Sequence, residues 1–560
     1  MSKRVVLAGV ILGISLVVLQ SPTARADEPT FVDGRLVYPE NGDIPRYLTP
    51  IEKQYLEEFG PFAPRGSDVP PSGPVHCVAE YEPMEGLLIA WEPWNSLIQT
   101  FLEQIGYHVT TTAASKLYVV VDSSTEATQA SSALSAAGAT MSRVQFVVRT
   151  TDTIWIRDYG PRYIYEGTCR AVVDHIYNRP RPNDDILPIY FAESVKHHAL
   201  YNIPLIHGGG NFHLDALNRS YVTRLINNEN PNYTEQQIYN LWLAFQNLST
   251  TFFDPFPTSV DATQHIDMWM QVIADDKVVI SDWPSNPGSV QDQICDNAAT
   301  FMSTRGYTVY RTPARSVSGT HYTYTNVVMC NNIVLIPYYT NATVAPHNAQ
   351  ALAVWQSALP NKTIIQLDSQ AIVPSAGVMH CIVMHVPAHL GGANPTAYLK
   401  NYRGGQTLQP GQQITINWIS DDDVGVSNVD IRLSTNGGAS YPTIIVAATP
   451  DDGAHTWTVP DIYTTQARIR VIARDTGGRL GFDSSDSDII INGTPPVIAG
   501  DMNCDGALNS ADVAPFALAL TDPAAYGLAY PGCNLSRGDM NGDTLVDGSD
   551  VIGFIDALYP

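Results

Sequence analysis

The 560 residues carry 44% hydrophobic and 15% charged side chains, a globular balance that excludes a disordered chain and leaves room for several domains of ordinary size. The formal net charge of −24 repels nucleic acid and anionic membranes and steers cationic partners inward; solubility alone is the other reason for such a charge.

Lys3 and Arg4 precede an apolar run from Val5 to Leu19, and Ala24-Arg25-Ala26 offers small residues for cleavage before Asp27. Residues 1–26 therefore read as a signal peptide. A membrane anchor is the alternative, but about 15 apolar residues fall short of the ~20 that span a bilayer. Cleavage removes Lys3, Arg4 and Arg25 and no acid, which takes the net charge from −24 to −27. The mature chain is expected outside the cell or at its surface, with no membrane attachment and no nucleic-acid partner.

Residues 27–75 are rich in Pro and Gly and read as a partly ordered lead-in. Across 76–392, apolar strand-like runs such as Leu117-Tyr118-Val119-Val120-Val121 alternate with helical stretches such as the Ala-rich 126–139. That alternation predicts an α/β domain. No repeat is legible at a fixed period. From 396 to 492 the texture changes to period-two segments, including Gln413-Ile414-Thr415-Ile416-Asn417-Trp418, separated by turn clusters such as Asn436-Gly437-Gly438. Several short strands at this spacing predict an all-β, immunoglobulin-like sandwich. A linker at 493–499 leads to a small helical module at 500–560.

In that module, oxygen-bearing side chains recur at positions 1, 3, 5, 9 and 12 of two loops. They are Asp501, Asn503, Asp505, Asn509 and Asp512, then Asp539, Asn541, Asp543, Asp547 and Asp550. This is calcium-loop spacing, with position 7 free to use its carbonyl. Gly506 fills the turn position of the first loop, and Thr544 that of the second. The paired loops resemble a dockerin, which implies bound calcium and a cohesin-like partner; a merely acidic tail is the alternative. Seven cysteines leave at least one thiol unpaired within the chain. Cys504 and Cys533 are placed for a local disulfide, Cys381 is the candidate free thiol, and the pairing of Cys77, Cys169, Cys295 and Cys330 stays open.

Four residues carry the chemistry. Cys381, in Gly377-Val378-Met379-His380-Cys381, reads as part of a buried strand: an inert apolar residue, or a nucleophile if a cation activates it. Asp158 follows Trp155-Ile156-Arg157, and Gly160-Pro161 places it at a strand end, as a turn cap or a carboxylate facing a pocket. His265 and Asp267 are two apart, so an extended strand would project them to one side. A thiol, an imidazole and two carboxylates are the set that cuts a C–N bond of a guanidinium by covalent catalysis. In Gly208-Gly209-Gly210-Asn211 glycine lets the backbone approach a substrate closely. Histidines 380, 385 and 389 fit no common zinc spacing. Arg179 and Arg181, in Arg179-Pro180-Arg181-Pro182, are held extended by the prolines and can form a fork for a carboxylate; a surface cluster with Asp184 and Asp185 is the alternative.

Trp155-Ile156-Arg157-Asp158-Tyr159-Gly160-Pro161, Gly208-Gly209-Gly210-Asn211, His265-Ile266-Asp267, the segment ending at Cys381 and Ala79-Glu80-Tyr81-Glu82-Pro83 resemble, in order, the motifs of the agmatine deiminase and Porphyromonas-type peptidylarginine deiminase group. The resemblance implies a five-bladed α/β propeller (pentein). It implies Cys381 as nucleophile, His265 as general acid and base, and Asp158 and Asp267 as guanidinium-binding carboxylates. It further implies that Trp155 flanks the substrate side chain, that Asn326 lines the site, and that catalysis needs no cofactor. Export and the Arg179–Arg181 segment favour arginine-containing peptides or proteins, with C-terminal arginine first. Agmatine or free arginine is the alternative substrate, and an inactive calcium-dependent adhesion or scaffold protein is an alternative of another class.

Overall fold

The computed structural model describes residues 27–62, 69–494 and 497–560. The signal peptide read at 1–26 and the Pro495-Pro496 pair of the linker lie outside the described residues. Among the described residues no helix is long and apolar enough to cross a membrane.

One strand arrangement recurs through residues 76–392. An antiparallel hairpin is followed by a helix, which returns the chain to a strand parallel to the hairpin's second member. It is plainest in Met270–Ala274, Lys277–Asp282 and Thr308–Pro313, with helix Val290–Thr304 as the crossover. Strands Val328–Cys330, Ile333–Tyr338 and Thr363–Asp368 repeat it around helix Asn348–Ala358. His213–Leu214, Arg219–Thr223 and Ser249–Phe253 repeat it around Glu235–Gln246. Two four-stranded sheets are elaborations of the same unit, built on Arg162–Glu166, Cys169–Tyr177 and Ala199–His207 and on Met84–Ala90 and Lys116–Val121, giving five α/β units in all. Parallel pairing requires a crossover of a dozen or more residues, so these apolar runs cannot be closed by tight turns.

The helices bury one stripe each. Ser96–Tyr107 hides Ile98, Phe101, Leu102 and Ile105, a 3.6-residue periodicity, and the Asn95 side chain caps it by accepting from the amides of Leu97 and Ile98. Strand Lys116–Val121 is buried from Leu117 onward on both faces, as a central parallel strand must be. Met384–Pro387, from the far end of the region, pairs antiparallel with Met84–Ala90. This closes the first unit with the last strand and holds Cys381, just ahead of it, near the centre.

The lead-in is more ordered than its composition suggests. It forms a hairpin, Thr30–Val32 with Arg35–Val37, and a helix, Pro50–Phe59, whose Thr49 and Glu52 satisfy each other's amides in a capping box.

Residues 396–492 form a β-sandwich. Thr396–Leu399, Gln413–Asp421 and Ala454–Thr458 make one sheet, and the longer second sheet centres on Tyr463–Asp475 and Val426–Ser434. Ile416, Trp418, Ile431, Ile469 and Val471 alternate inward to the shared core. In the terminal module, Phe516 and Phe554 stack with ring centroids 4.0 Å apart, and Cys504 is bonded to Cys533. The other five cysteines are buried and unpaired.

The sandwich is joined to the catalytic region through a buried charge. The Arg170 guanidinium donates to Asp421 from Nε (2.9 Å) and Nη2 (3.0 Å), and also contacts Glu85. His198 and His389 reach the same carboxylate. Burial alone would raise the Asp421 carboxyl, but His198, His389 and Arg170 hold it well below the usual range. Removing one partner of a buried pair strands the other's charge, so Asp421→Ala should destabilise the chain by about 3–5 kcal/mol. Chemical denaturation followed by tryptophan fluorescence measures this, and an unchanged midpoint would exclude the pair as the joint.

Candidate active site

Four segments converge on one guanidinium, and the guanidinium belongs to the chain itself. Arg46, in the lead-in, is wholly buried. Its Nε and Nη2 each donate to Asp158 at 2.8 Å, and its Nη1 and Nη2 donate to Asp267 at 3.2 and 3.0 Å. Nη2 lies 2.7 Å from His265 Nδ1, and Nη1 lies 2.7 Å from Cys381 Sγ. The thiol, imidazole and two carboxylates singled out in the sequence are thus within reach of one planar cation.

The local backbone differs from the extended segments expected. Asp158 sits on a single helical turn, Ile156–Tyr159, closed by Gly160 N–H donating to Ile156 O at 2.7 Å; the strand starts only after Pro161, at Arg162. His265 precedes, and Asp267 lies within, a turn of 3-10 helix at Ile266–Met268. Gln264, in the left-handed region at φ 61°, breaks the extended chain before them. Cys381 also lies on a 3-10 turn, His380–Ile382, because the His380 amide is taken by Asn326 Oδ1 at 3.1 Å instead of a neighbouring strand. The residues still meet, through turns at the ends of sheets.

The glycine loop performs the close approach expected of it. A Cβ on Gly210 would lie 1.9 Å from Arg46 Nη2, 2.6 Å from an Asp267 oxygen and 2.8 Å from an Asp158 oxygen. Its amide donates to Asp158 at 3.0 Å. Asn326 lines the site as anticipated, its Nδ2 3.1 Å from Cys381 Sγ. Trp155 is fully buried, and its indole N–H donates to Ile44 O at 2.7 Å, so it grips the chain entering the site and makes no ring stack on the guanidinium.

The arginine pair divides. Arg179 Nε donates to the carbonyl of Arg46 at 3.2 Å. Arg181 is buried against the lead-in, with Nε 2.7 Å from Glu52 and Nη2 2.7 Å from Pro45 O. The expected fork is therefore not open: Arg181 is already neutralised by Glu52, and Asp184 and Asp185 bond elsewhere, to Thr153 and the Tyr177 amide. Beside Arg179 a cleft of about 650 Å³ remains, lined by Tyr47, Lys53, Glu229 and Gln264 among others.

Electrostatics follow from this burial. Desolvation would raise both carboxyls, but the Arg46 guanidinium holds Asp158 and Asp267 well below the usual carboxylate range. Burial pushes the Cys381 thiol well up, and the same guanidinium pulls it back toward ionisation. His265 is lowered by burial, which favours a neutral imidazole that can accept a proton. Behind Asp267 runs a polar chain that sequence reasoning missed. His380 joins Asp267 (2.9 Å) to Glu80 (2.8 Å), and Glu80 pairs with Arg157 at 2.8 Å. Arg46 was missed as well; nothing in Ile44-Pro45-Arg46-Tyr47 marks it locally.

Histidines 380, 385 and 389 do not meet as a set: His380 and His385 face the same Glu80 oxygen at 2.8 and 3.9 Å, whereas His389 bonds Asp421 and Asn394 O. In the tail, Asp512 accepts from the amides of Met502, Asn503 and Asn509, and Asp550 accepts from Met540, Asn541 and Asp547, the same cradle twice. Gly506 (φ 90°) and Thr544 (φ 73°) both take the left-handed turn, so Thr544 keeps the loop's shape despite its side chain. Asp501 Oδ1 is buried without a hydrogen-bond partner, an oxygen suited to a hard cation.

A family model described as Porphyromonas-type peptidyl-arginine deiminase matches residues 76–387. A protein of Streptomyces coelicolor named "Putative agmatine deiminase" is 24% identical over 270 residues, covering 44% of this chain and 78% of that protein. A solved structure called a "putative agmatine deiminase" superposes with TM-score 0.51 at 18% identity, over 59% of this chain and 100% of its own, which shows the fold. An agmatine deiminase of Enterococcus faecalis gives TM-score 0.48 at 17% identity, over 56% and 96%.

Gly210→Ala should lower turnover by about 100-fold or more, because a displacement of about 1 Å at reacting groups has that effect, with the circular dichroism spectrum unchanged. Wild-type rates in that variant would mean the loop does not border the reacting group.

Proposed function

Because the chain belongs to the Porphyromonas-type peptidyl-arginine deiminase family, whose members hydrolyse guanidino groups, we propose that it converts arginine in peptides to citrulline and ammonia through a covalent thiouronium on Cys381. The observation that supports this most directly is the grip on Arg46: an arginine residue, main chain attached, with both carboxylates, the imidazole and the thiol around its head group.

Asp158 and Asp267 orient the cation with charge-assisted bonds to all three nitrogens. The substrate's own charge pulls the Cys381 thiol, raised by burial, back toward ionisation, and neutral His265 takes its proton as Sγ attacks. Sγ bonds to the guanidinium carbon. The nitrogen facing His265 Nδ1 takes that thiol proton back from His265 as its bond to carbon breaks, and leaves as ammonia. Water, deprotonated by His265, then adds to the thiouronium carbon; the C–S bond breaks and a urea remains. Asn326 and the His380–Glu80–Arg157 chain hold Cys381 and Asp267 in place. The family's reaction needs no cofactor.

Arg179, set on the Arg46 carbonyl, is the group that would read the carboxyl end of a substrate arginine, with C-terminal arginine the first choice. Agmatine, which has no such oxygen, is a second reading supported by the names of the Streptomyces and Enterococcus relatives. Outside the catalytic region we read the sandwich as immunoglobulin-like. The tail reads as a dockerin-like module for a cohesin-like partner, with calcium held by Asp501, Asn503, Asp505, Asn509 and Asp512 and by Asp539, Asn541, Asp543, Asp547 and Asp550. Calcium would supply the charge that offsets these carboxylates. Export is supported by the Cys504–Cys533 bond, which persists in oxidising compartments.

Cys381→Ala should abolish ammonia release from peptides ending in arginine; a fully active variant excludes the nucleophile. Arg179→Ala should raise KM for those peptides about 10- to 100-fold, the worth of a hydrogen bond to a charged group, and leave KM for agmatine nearly unchanged. Equal effects would favour agmatine. Titrating the metal-stripped protein with calcium should give heat of binding and order the residues after 500, and ammonia release should persist under chelation. Absence of binding removes the calcium assignment, and loss of turnover would place calcium in catalysis.

A further inference from the structure

We propose that Arg46 is a self-modification site: held across the two carboxylates, it closes the site to other guanidinium compounds, and its conversion to citrulline by its own chain releases the lead-in and opens the site. This rests on the functional reading above and goes beyond it in naming a first substrate.

Arg46 is seated by far more than its head group. Its amide donates to Ser375 O at 3.0 Å, and its carbonyl accepts from Arg179 at 3.2 Å. The preceding residues are fixed by Trp155 on Ile44 O (2.7 Å), Arg181 on Pro45 O (2.7 Å) and Ser375 Oγ on Asp43 (2.7 Å). After it, helix Pro50–Phe59 brings Glu52 onto Arg181. The segment therefore takes both recognition elements at once: Arg46 fills the cation site, and a carboxylate of the same segment occupies one of the two arginines beside it. No external arginine can bind while this holds. Because Arg46 is tethered to the catalytic region, its local concentration exceeds that of a dilute peptide.

The step balances with water as co-reactant. Cys381 Sγ bonds to Arg46 Cζ and its thiol proton passes by way of His265 to Nη2, the nitrogen nearest His265, so that the Cζ–Nη2 bond breaks with ammonia as the leaving group. Water adds to Cζ, Sγ departs, and residue 46 carries a neutral urea in place of the cation. Asp158 and Asp267 then remain buried without a counter-charge, the unfavourable state for such carboxylates. That loss expels the segment and admits water or a cationic substrate.

The test uses the full-length protein. Peptide mass spectrometry of the wild type should find citrulline at position 46, and the Cys381→Ala protein should retain arginine there. When isotope-labelled Cys381→Ala protein is mixed with active wild type, the labelled Arg46 should stay unconverted, since the reaction runs within one chain. Arg46→Gln should turn over an arginine peptide at least about tenfold faster than Arg46→Lys, which keeps a cation without a carbon to attack. An intact Arg46 in wild type that turns over the external peptide overturns the proposal, as does conversion of the labelled chain in trans or equal rates for the two variants. If Arg46→Gln releases no ammonia from any guanidinium compound, the functional reading itself falls.

Discussion

Two carboxylates removed from water and set on either side of a flat cation are the constraint on which the rest of the site depends. Asp158 and Asp267 have almost no contact with solvent. Two buried negative charges at such range are strongly unfavourable alone, and a guanidinium bonded to both relieves them. The thiol follows the same logic. Burial among acidic groups holds it protonated, and the guanidinium beside it pulls it back toward the thiolate.

The architecture exists to hold those groups at turns. The site residues lie on short turns between strands: Ile156–Tyr159, the loop after Ala199–His207, Ile266–Met268 and His380–Ile382. A turn can aim a side chain along the central axis, whereas a strand residue within a blade points into a neighbouring blade or a covering helix. Closure of Met84–Ala90 by Met384–Pro387 is what brings the residue most distant in sequence, Cys381, to the segments that bear the acids.

Much of this was legible without coordinates. The α/β alternation, the change of texture after residue 392, the disulfide at Cys504 and Cys533 and the choice of Asp158, His265, Asp267 and Cys381 as the residues that meet all follow from local pattern and motif. The errors share a cause. The apolar stretch around Cys381, the Gly160-Pro161 stop after Asp158 and the two-residue spacing of His265 and Asp267 all suggest extended segments, whereas these residues lie on turns. The polar bonds that bend these segments, such as Asn326 on the His380 amide, come from residues far away in sequence. Arg181 was taken as free to bind substrate, because its partner Glu52 lies in a segment with no strong pattern of its own.

The sequence by itself determined which chemistry the chain can perform, since that depends on residue types and on motifs read over a few positions. Tertiary structure decided what occupies the site. Arg46 has no local signature, and its meaning arises only when folding carries it some 100 to 300 residues along the chain to Asp158, Asp267 and Cys381. Contacts of that separation are selected by the free energy of burying charge against charge, which no window of sequence records.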